Sequence, residues 1–151
     1  MMANPTQVPE RPLVIVIADD EALLRTVAVD ALEDEGFMTF EAENAVAALD
    51  ICKSCPEAID VLFTDIRMPG PIDGLELAHR VRQRWPWIAT IIVSGNIFVG
   101  RDQLPGGSRF LPKPYDIQQI VDMIRQMRGQ RWDDEVGHRP DRPRWSSAGP
   151  V

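Results

Sequence analysis

The run VIVIADDE sets Asp19 and Asp20, with Glu21 beside them, directly after an apolar stretch. Three carboxylates at one chain reversal repel each other, so a fold that keeps them together offsets the cost with positive charge. Other chemistry-bearing residues stand in the same relation to apolar stretches. Asp65 follows VLFT, Ser94 closes IATIIVS, and Lys113 follows SRFLP. If each stretch is a strand and all run parallel, these side chains arrive at one rim. Asp19, Asp20 and Asp65 then supply hard oxygen ligands, which suit Mg²⁺ (or Mn²⁺) with waters completing an octahedron. A lysine suits an anion held beside such an ion. Together with the Ser94 hydroxyl, the set matches phosphoryl transfer to a carboxylate.

The apolar spacing supplies the elements that must do this positioning. LVIVIA (13–18) is a continuous apolar run of strand length. EALLRTVAVDALEDEG (21–36) has Leu24, Val27, Ala28, Ala31 and Leu32 at helical spacing and closes on Gly36. FMTFEAE (37–43) reads as a strand and AVAALDICKSC (45–55) as a helix, and VLFT (61–64) is strand-like and runs into Asp65. GLELAHRVRQRW (74–85) is an amphipathic helix with Leu77, Ala78, Val81 and Trp85 on its buried stripe. IATIIVS (88–94) is rich in β-branched residues, SRFLP (108–112) is a short strand, and DIQQIVDMIRQMR (116–128) is a helix. Its inward face carries Ile117, Ile120, Val121, Ile124 and Met127.

Strands alternate with helices, and uniformly apolar strands suit a parallel sheet covered on both faces. The expected class is α/β, a doubly wound three-layer sandwich around a five-stranded parallel sheet, with ligands beyond the carboxyl ends of the strands. The expected organisation is a disordered lead-in over 1–12, one domain over 13–128 and a flexible tail over 129–151.

Composition narrows the partners. A formal net charge of −7 argues against bulk attraction to nucleic acid or anionic lipid. No apolar stretch approaches the roughly 20 residues that span a bilayer. The polar start MMANPTQVPERP lacks the apolar region of a secretory signal, so a cytoplasmic location without membrane attachment is expected. Cys52 and Cys55 form a CxxC pair at a helix C-terminus, where the dipole disfavours a thiolate. They read as a small core residue and a helix-end residue. His79 stands among Arg80, Arg82 and Arg84 and is expected to face solvent. Trp85 and Trp87 flank Pro86 and are expected to cover a helix-to-strand loop. Trp132 and Trp145 are large for a flexible tail and could anchor on this domain or on a partner. The basic RPDRPRW is balanced by the nearby DDE, and no DNA-binding domain is expected.

IADDE, VLFTDIRMPG followed by DGLEL, IIVSGN and FLPKPY stand in this order, each after its expected strand. At these residues the chain resembles the receiver domain of two-component response regulators, of the single-domain chemotaxis-regulator type. The resemblance covers 13–128 and implies a flavodoxin-like sheet of strand order 2-1-3-4-5. It implies that Asp65 is the phosphoacceptor, taking the group from a phosphohistidine donor. Asp20 and Asp65 would bind Mg²⁺ directly, Asp19 through a water, and the Arg67 backbone carbonyl would be a further ligand. Ser94 would hydrogen-bond the transferred group, Lys113 would pair with it, and Phe110 occupies the position of the switch aromatic. A cis peptide is implied at Lys113–Pro114. The implied partners are a histidine kinase or histidine phosphotransfer protein and an unknown downstream protein target.

The chain also departs from that pattern. The loop MPGPIDG is about one residue longer than usual, and the interval GNIFVGRDQLPGGSR about three residues shorter, close to one helical turn. Gly100, Pro105, Gly106 and Gly107 make that interval poor for a helix interior, so a short, irregular or mobile helix is expected there. The family's usual dimer face is thereby in question, and dimerisation stays open. Phe110 would switch by packing alone.

Other classes fit less well. A haloacid-dehalogenase-type phosphatase would need an acid two residues after Asp65, where Arg67 stands. A flavodoxin-like cofactor binder needs a small, hydroxyl-rich phosphate loop after the first strand, where Asp19, Asp20 and Glu21 repel phosphate. A receiver-like adaptor that is never phosphorylated remains the main alternative to a phosphate-accepting switch or relay.

Overall fold

The computed structural model describes residues 11–95 and 103–129. Its strands are Val14–Ala18 (β1), Met38–Ala42 (β2), Val61–Asp65 (β3), Ala89–Ser94 (β4) and Arg109–Pro112 (β5). Its helices are Ala22–Asp34 (α1), Ala45–Ser54 (α2), Gly74–Arg84 (α3) and Ile117–Gly129 (α4), with a short 3-10 turn at Pro56–Ala58. The five strands form one all-parallel sheet in the order β2-β1-β3-β4-β5.

The strands β1, β3 and β4 are buried along their whole length, as their unbroken apolar runs require. Ile15, Ile17, Leu62, Ile91 and Ile92 are each at most 1% exposed. Each such side chain contributes about 1.5–3 kcal/mol by leaving water. The edge strand β2 is different, with Met38 and Phe40 open to solvent.

Helix boundaries follow capping chemistry. The Asn44 side chain accepts from the Ala47 N–H at the start of α2, and Asp73 accepts from the Glu76 N–H at the start of α3. Gly36 takes φ +95°, a left-handed conformation that ends α1 at low cost. Gly107 takes φ +82° in the turn that Ser108 N–H closes onto the Pro105 carbonyl.

Two expectations about burial are corrected. On α1 the inward stripe is Ala28, Val29 and Leu32, whereas Leu24 and Val27 are 42% and 54% exposed. Arg25, at the helical spacing that continues this stripe, turns inward instead, and its side chain is only 16% exposed. His79 does not simply face solvent: it is half-buried, with Nε2 2.8 Å from the Gln103 carbonyl oxygen. On the other stripes Leu77, Ala78 and Val81 are buried on α3 and Ile120, Val121, Ile124 and Met127 on α4, whereas Trp85, which caps α3, and Ile117 are only half-buried against the core. Cys52 is fully buried and burial pushes its thiol up to about 12, with the Cys55 thiol adding to the shift, so it is a core residue. Trp87 is buried and donates its indole N–H to the Pro56 carbonyl, covering the loop before β4.

The interval 96–102, the first ten residues, and the tail with Trp132, Trp145 and RPDRPRW lie outside the described residues. Among the described residues, no helix is long and apolar enough to cross a membrane.

Candidate functional site

Because all strands run parallel, every residue that follows a strand lands on the same side of the sheet. Asp19 follows β1, Asp65 and Ser94 close β3 and β4, and Lys113 follows β5. The ladder sets their depth: Asp65 lies opposite Val93, and Ser94 opposite Pro112. Lys113 is tied to β4 by its backbone N–H, which donates to the Ser94 carbonyl at 2.9 Å. Its ammonium reaches across and donates to Asp65 Oδ2. The other Asp65 oxygen, Oδ1, accepts from the Arg67 N–H at 3.2 Å.

Asp19 and Asp65 are both buried, at 7% and 6% exposure, and Asp20 is exposed at the mouth. Asp19 Oδ1 accepts from the Glu21 N–H at 2.9 Å, so it also shapes the turn into α1. Burial raises the Asp19 pKa, against the lowering effect of that backbone bond; Asp65 and Asp20 raise it further and Lys113 lowers it. For Lys113, burial alone would lower the pKa. The hydrogen bond and charge of Asp65, with Asp19 and Glu21, outweigh burial and raise it. Asp19, Asp20, Asp65 and Lys113 therefore share one electrostatic field. Ser94 is buried at its edge.

Asp20 and Arg67 line an open cleft of about 380 Å³ together with Ile66, Met68, Pro69 and Asp73. Among the described residues, no three His, Cys, Asp or Glu side chains stand as a ready-made metal cage. That does not conflict with the donor chemistry. Mg²⁺ keeps several waters and needs only one or two carboxylates, and here an excess of negative oxygen donors faces a single lysine. The carboxylates of Asp19, Asp20 and Asp65 at this rim are donors of the kind such an ion takes. Arg67 itself is exposed. Phe110 lies off the rim, half-buried against Ile66, Ala78 and Ile92 with Leu75 and Leu104 alongside. The Lys113–Pro114 peptide is cis.

Four further residues shape the site, and none stands out as a functional residue in the sequence. Gly74 opens α3 so close to β3 that a Cβ there would sit 1.7 Å from the Asp65 carbonyl oxygen. Its signal was the Asp-Gly pair at a helix start, since a cap followed by glycine marks a close approach of backbones. Tyr115 packs edge-on against Phe63, with ring centroids 5.8 Å apart. Its hydroxyl is pushed up to about 12 by burial and then by the charges of Asp19 and Asp65. Arg25 Nη1 donates to the Asp19 carbonyl at 2.7 Å, and Arg25 Nε donates to Glu41 at 3.0 Å. No pattern along the chain links Arg25 to Glu41; only the β1–β2 pairing does.

Comparison with known proteins points the same way. The family model for the response regulator receiver domain matches residues 15–125. The chain is 31% identical over 118 residues to the sensor kinase CckA of Brucella abortus, covering 75% of this chain but only 12% of that protein. It is 30% identical over 115 residues to sporulation initiation phosphotransferase F of Bacillus subtilis, covering 74% of this chain and 90% of that one. A crystal structure of a response regulator receiver protein from Sinorhizobium medicae matches with a TM-score of 0.73 at 30% identity, over 80% of this chain and 97% of that one.

Proposed function

The chain belongs to the response regulator receiver family of two-component signalling, and on that premise we propose that Asp65 accepts a phosphoryl group from a phosphohistidine donor. A carboxylate oxygen of Asp65 attacks phosphorus, the P–N bond breaks, and the electron pair leaves with the imidazole, which takes a proton. The product is an aspartyl phosphate carrying about −1.5 to −2 charge. One observation carries the reading. Asp65 is buried, held by a lysine 48 residues away, and crowded by a second buried carboxylate, which places a nucleophilic oxygen beside a cation and a further acid.

Lys113 already pairs with Asp65 and keeps its ammonium within reach of the oxygens that arrive. The Ser94 hydroxyl binds the group once transferred, and Phe110, packed on Ile66 and Ile92, follows that movement by changing its packing. Held by Asp19, Asp20, Asp65 and the Arg67 carbonyl, Mg²⁺ would neutralise charge on the phosphoryl oxygens during transfer. The donor is a histidine kinase or histidine phosphotransfer protein. The exposed Leu23, Leu24 and Val27 on α1, the helix that starts beside Asp20, offer it an apolar docking face. The match to 90% of phosphotransferase F supports a phosphate relay, with a switch that binds a downstream protein as the other form of the same role.

An adaptor that is never phosphorylated is the second reading. The Lys113–Asp65 pair favours it, because it already balances Asp65. Incubation with acetyl phosphate and Mg²⁺ separates the two. Acid-stable, base-labile phosphate that requires Mg²⁺ and vanishes in Asp65→Asn supports the acceptor. No modification of the parent leaves the adaptor.

A further inference from the structure

The acidic rim has a backing that its carboxylates do not supply. The main chain of Asp19 is held on both sides by β2. Its N–H donates directly to the Ala42 carbonyl at 3.1 Å. Its C=O accepts from Arg25 Nη1 at 2.7 Å, and Arg25 is in turn held by Glu41, the residue before Ala42, at 3.0 Å. The guanidinium thus touches the backbone of Asp19 rather than its carboxylate. Its side chain is 16% exposed, and it lies on the inward face of α1 where an apolar residue would serve packing better.

We propose that Arg25, oriented by Glu41, is a positioning residue that fixes the peptide between Asp19 and Asp20 and so aims both carboxylates at the ion beside Asp65. The proposal rests on the phosphoacceptor reading above. Its physical core is the planarity of the peptide unit. Holding the Asp19 carbonyl also fixes the Asp20 amide, so one guanidinium sets where two ligands depart from the chain. Arginine suits this task because its fork serves a carbonyl and a carboxylate at once in a fixed geometry, which an ammonium does not. The plainer alternative is a surface ion pair that merely ties α1 to β2, worth about 0–1 kcal/mol and without influence on the rim.

The test measures Mg²⁺ affinity of the full, unphosphorylated chain by titration calorimetry, next to its melting temperature without metal. Arg25→Ala is expected to weaken Mg²⁺ binding about tenfold, in the range seen when residues behind metal ligands are removed. Arg25→Lys recovers part of that loss. Glu41→Gln, which keeps the guanidinium and a neutral acceptor, weakens binding by about threefold, a smaller share of the same effect. Metal-free melting moves little in Glu41→Gln, so this variant reads orientation even if Arg25→Ala folds poorly. Parent-like Mg²⁺ affinity in both Arg25→Lys and Glu41→Gln, together with either parent-like affinity or failure to fold in Arg25→Ala, overturns the proposal and leaves the plain ion pair. If the parent takes up no Mg²⁺ at all, the phosphoacceptor reading fails first and the positioning role falls with it.

Discussion

Asp60 and Asp65 bracket the same strand and have opposite fates. Asp60, just before β3, is 1% exposed, and its carboxylate accepts from the Val14 N–H at 2.8 Å and from Arg11 at 3.0 Å. Its backbone N–H donates to Val14 and its C=O accepts from Ala89, so one residue stitches the entries of β1, β3 and β4. Asp65, at the other end, also meets a basic side chain, yet it shares its field with Asp19 and has α3 pressed against its carbonyl. Both are buried acids paired with a cation. One is spent on holding strands together; the other is kept under like-charge crowding. The difference is what a site looks like beside a staple of equal chemistry: stability is conceded only where reactivity is gained.

The largest effect is expected for Asp60→Ala. It strands the Val14 N–H and removes a buried carboxylate from Arg11, and should cost about 3 kcal/mol, or roughly 10 °C in melting temperature. Phosphate uptake per folded molecule stays at the parent level. If uptake falls as much as stability, the two poles are not separable. Next comes Gly74→Ala, whose methyl must displace the Asp65 backbone. A loss of about 2 kcal/mol is expected, with acetyl-phosphate labelling slowed at least tenfold, so this variant fails on both counts.

Asp19→Asn should move stability the other way. Because its folded pKa is raised, the ionised form costs stability at neutral pH. The stability tied to its proton is present below the ordinary value of 3.8 and is lost as pH rises through the raised value. Melting should therefore rise by roughly 3 °C at neutral pH, with no gain at pH below 3.8, while Mg²⁺-dependent labelling falls. The smallest effect is spectroscopic. Tyr115 is the chain's single tyrosine, so its phenolate absorbance should appear near pH 12 rather than 10, and earlier in Asp19→Asn. Stability tied to its proton is lost as pH climbs from 10 through 12.

Much of this was legible along the chain because burial on both faces leaves unbroken apolar runs, as in β1, β3 and β4, and the residue after each run is then at the rim by geometry alone. The rim positions of Asp19, Asp65, Ser94 and Lys113 follow in that way. The α1 stripe was misread for a physical reason. Its inward face runs through positions 25, 28, 29 and 32, and the first of these is an arginine. A reading that follows apolar side chains skips Arg25 and recruits Leu24 and Val27 instead. Gly74 and the Arg25–Glu41 link escaped notice because they depend on contacts between segments that have no signature in either segment.

The order in which the rim is assembled carries one more consequence. A ribosome delivers Asp19 and Asp20 first, then Asp65, and the neutralising ammonium only after a further 48 residues. Until β5 docks, the nascent pocket lacks the ammonium that pairs with Asp65. Synthesis of β5 therefore brings the cation that pairs with Asp65, and a chain released before it would carry Asp19, Asp20 and Asp65 without the Lys113 ammonium.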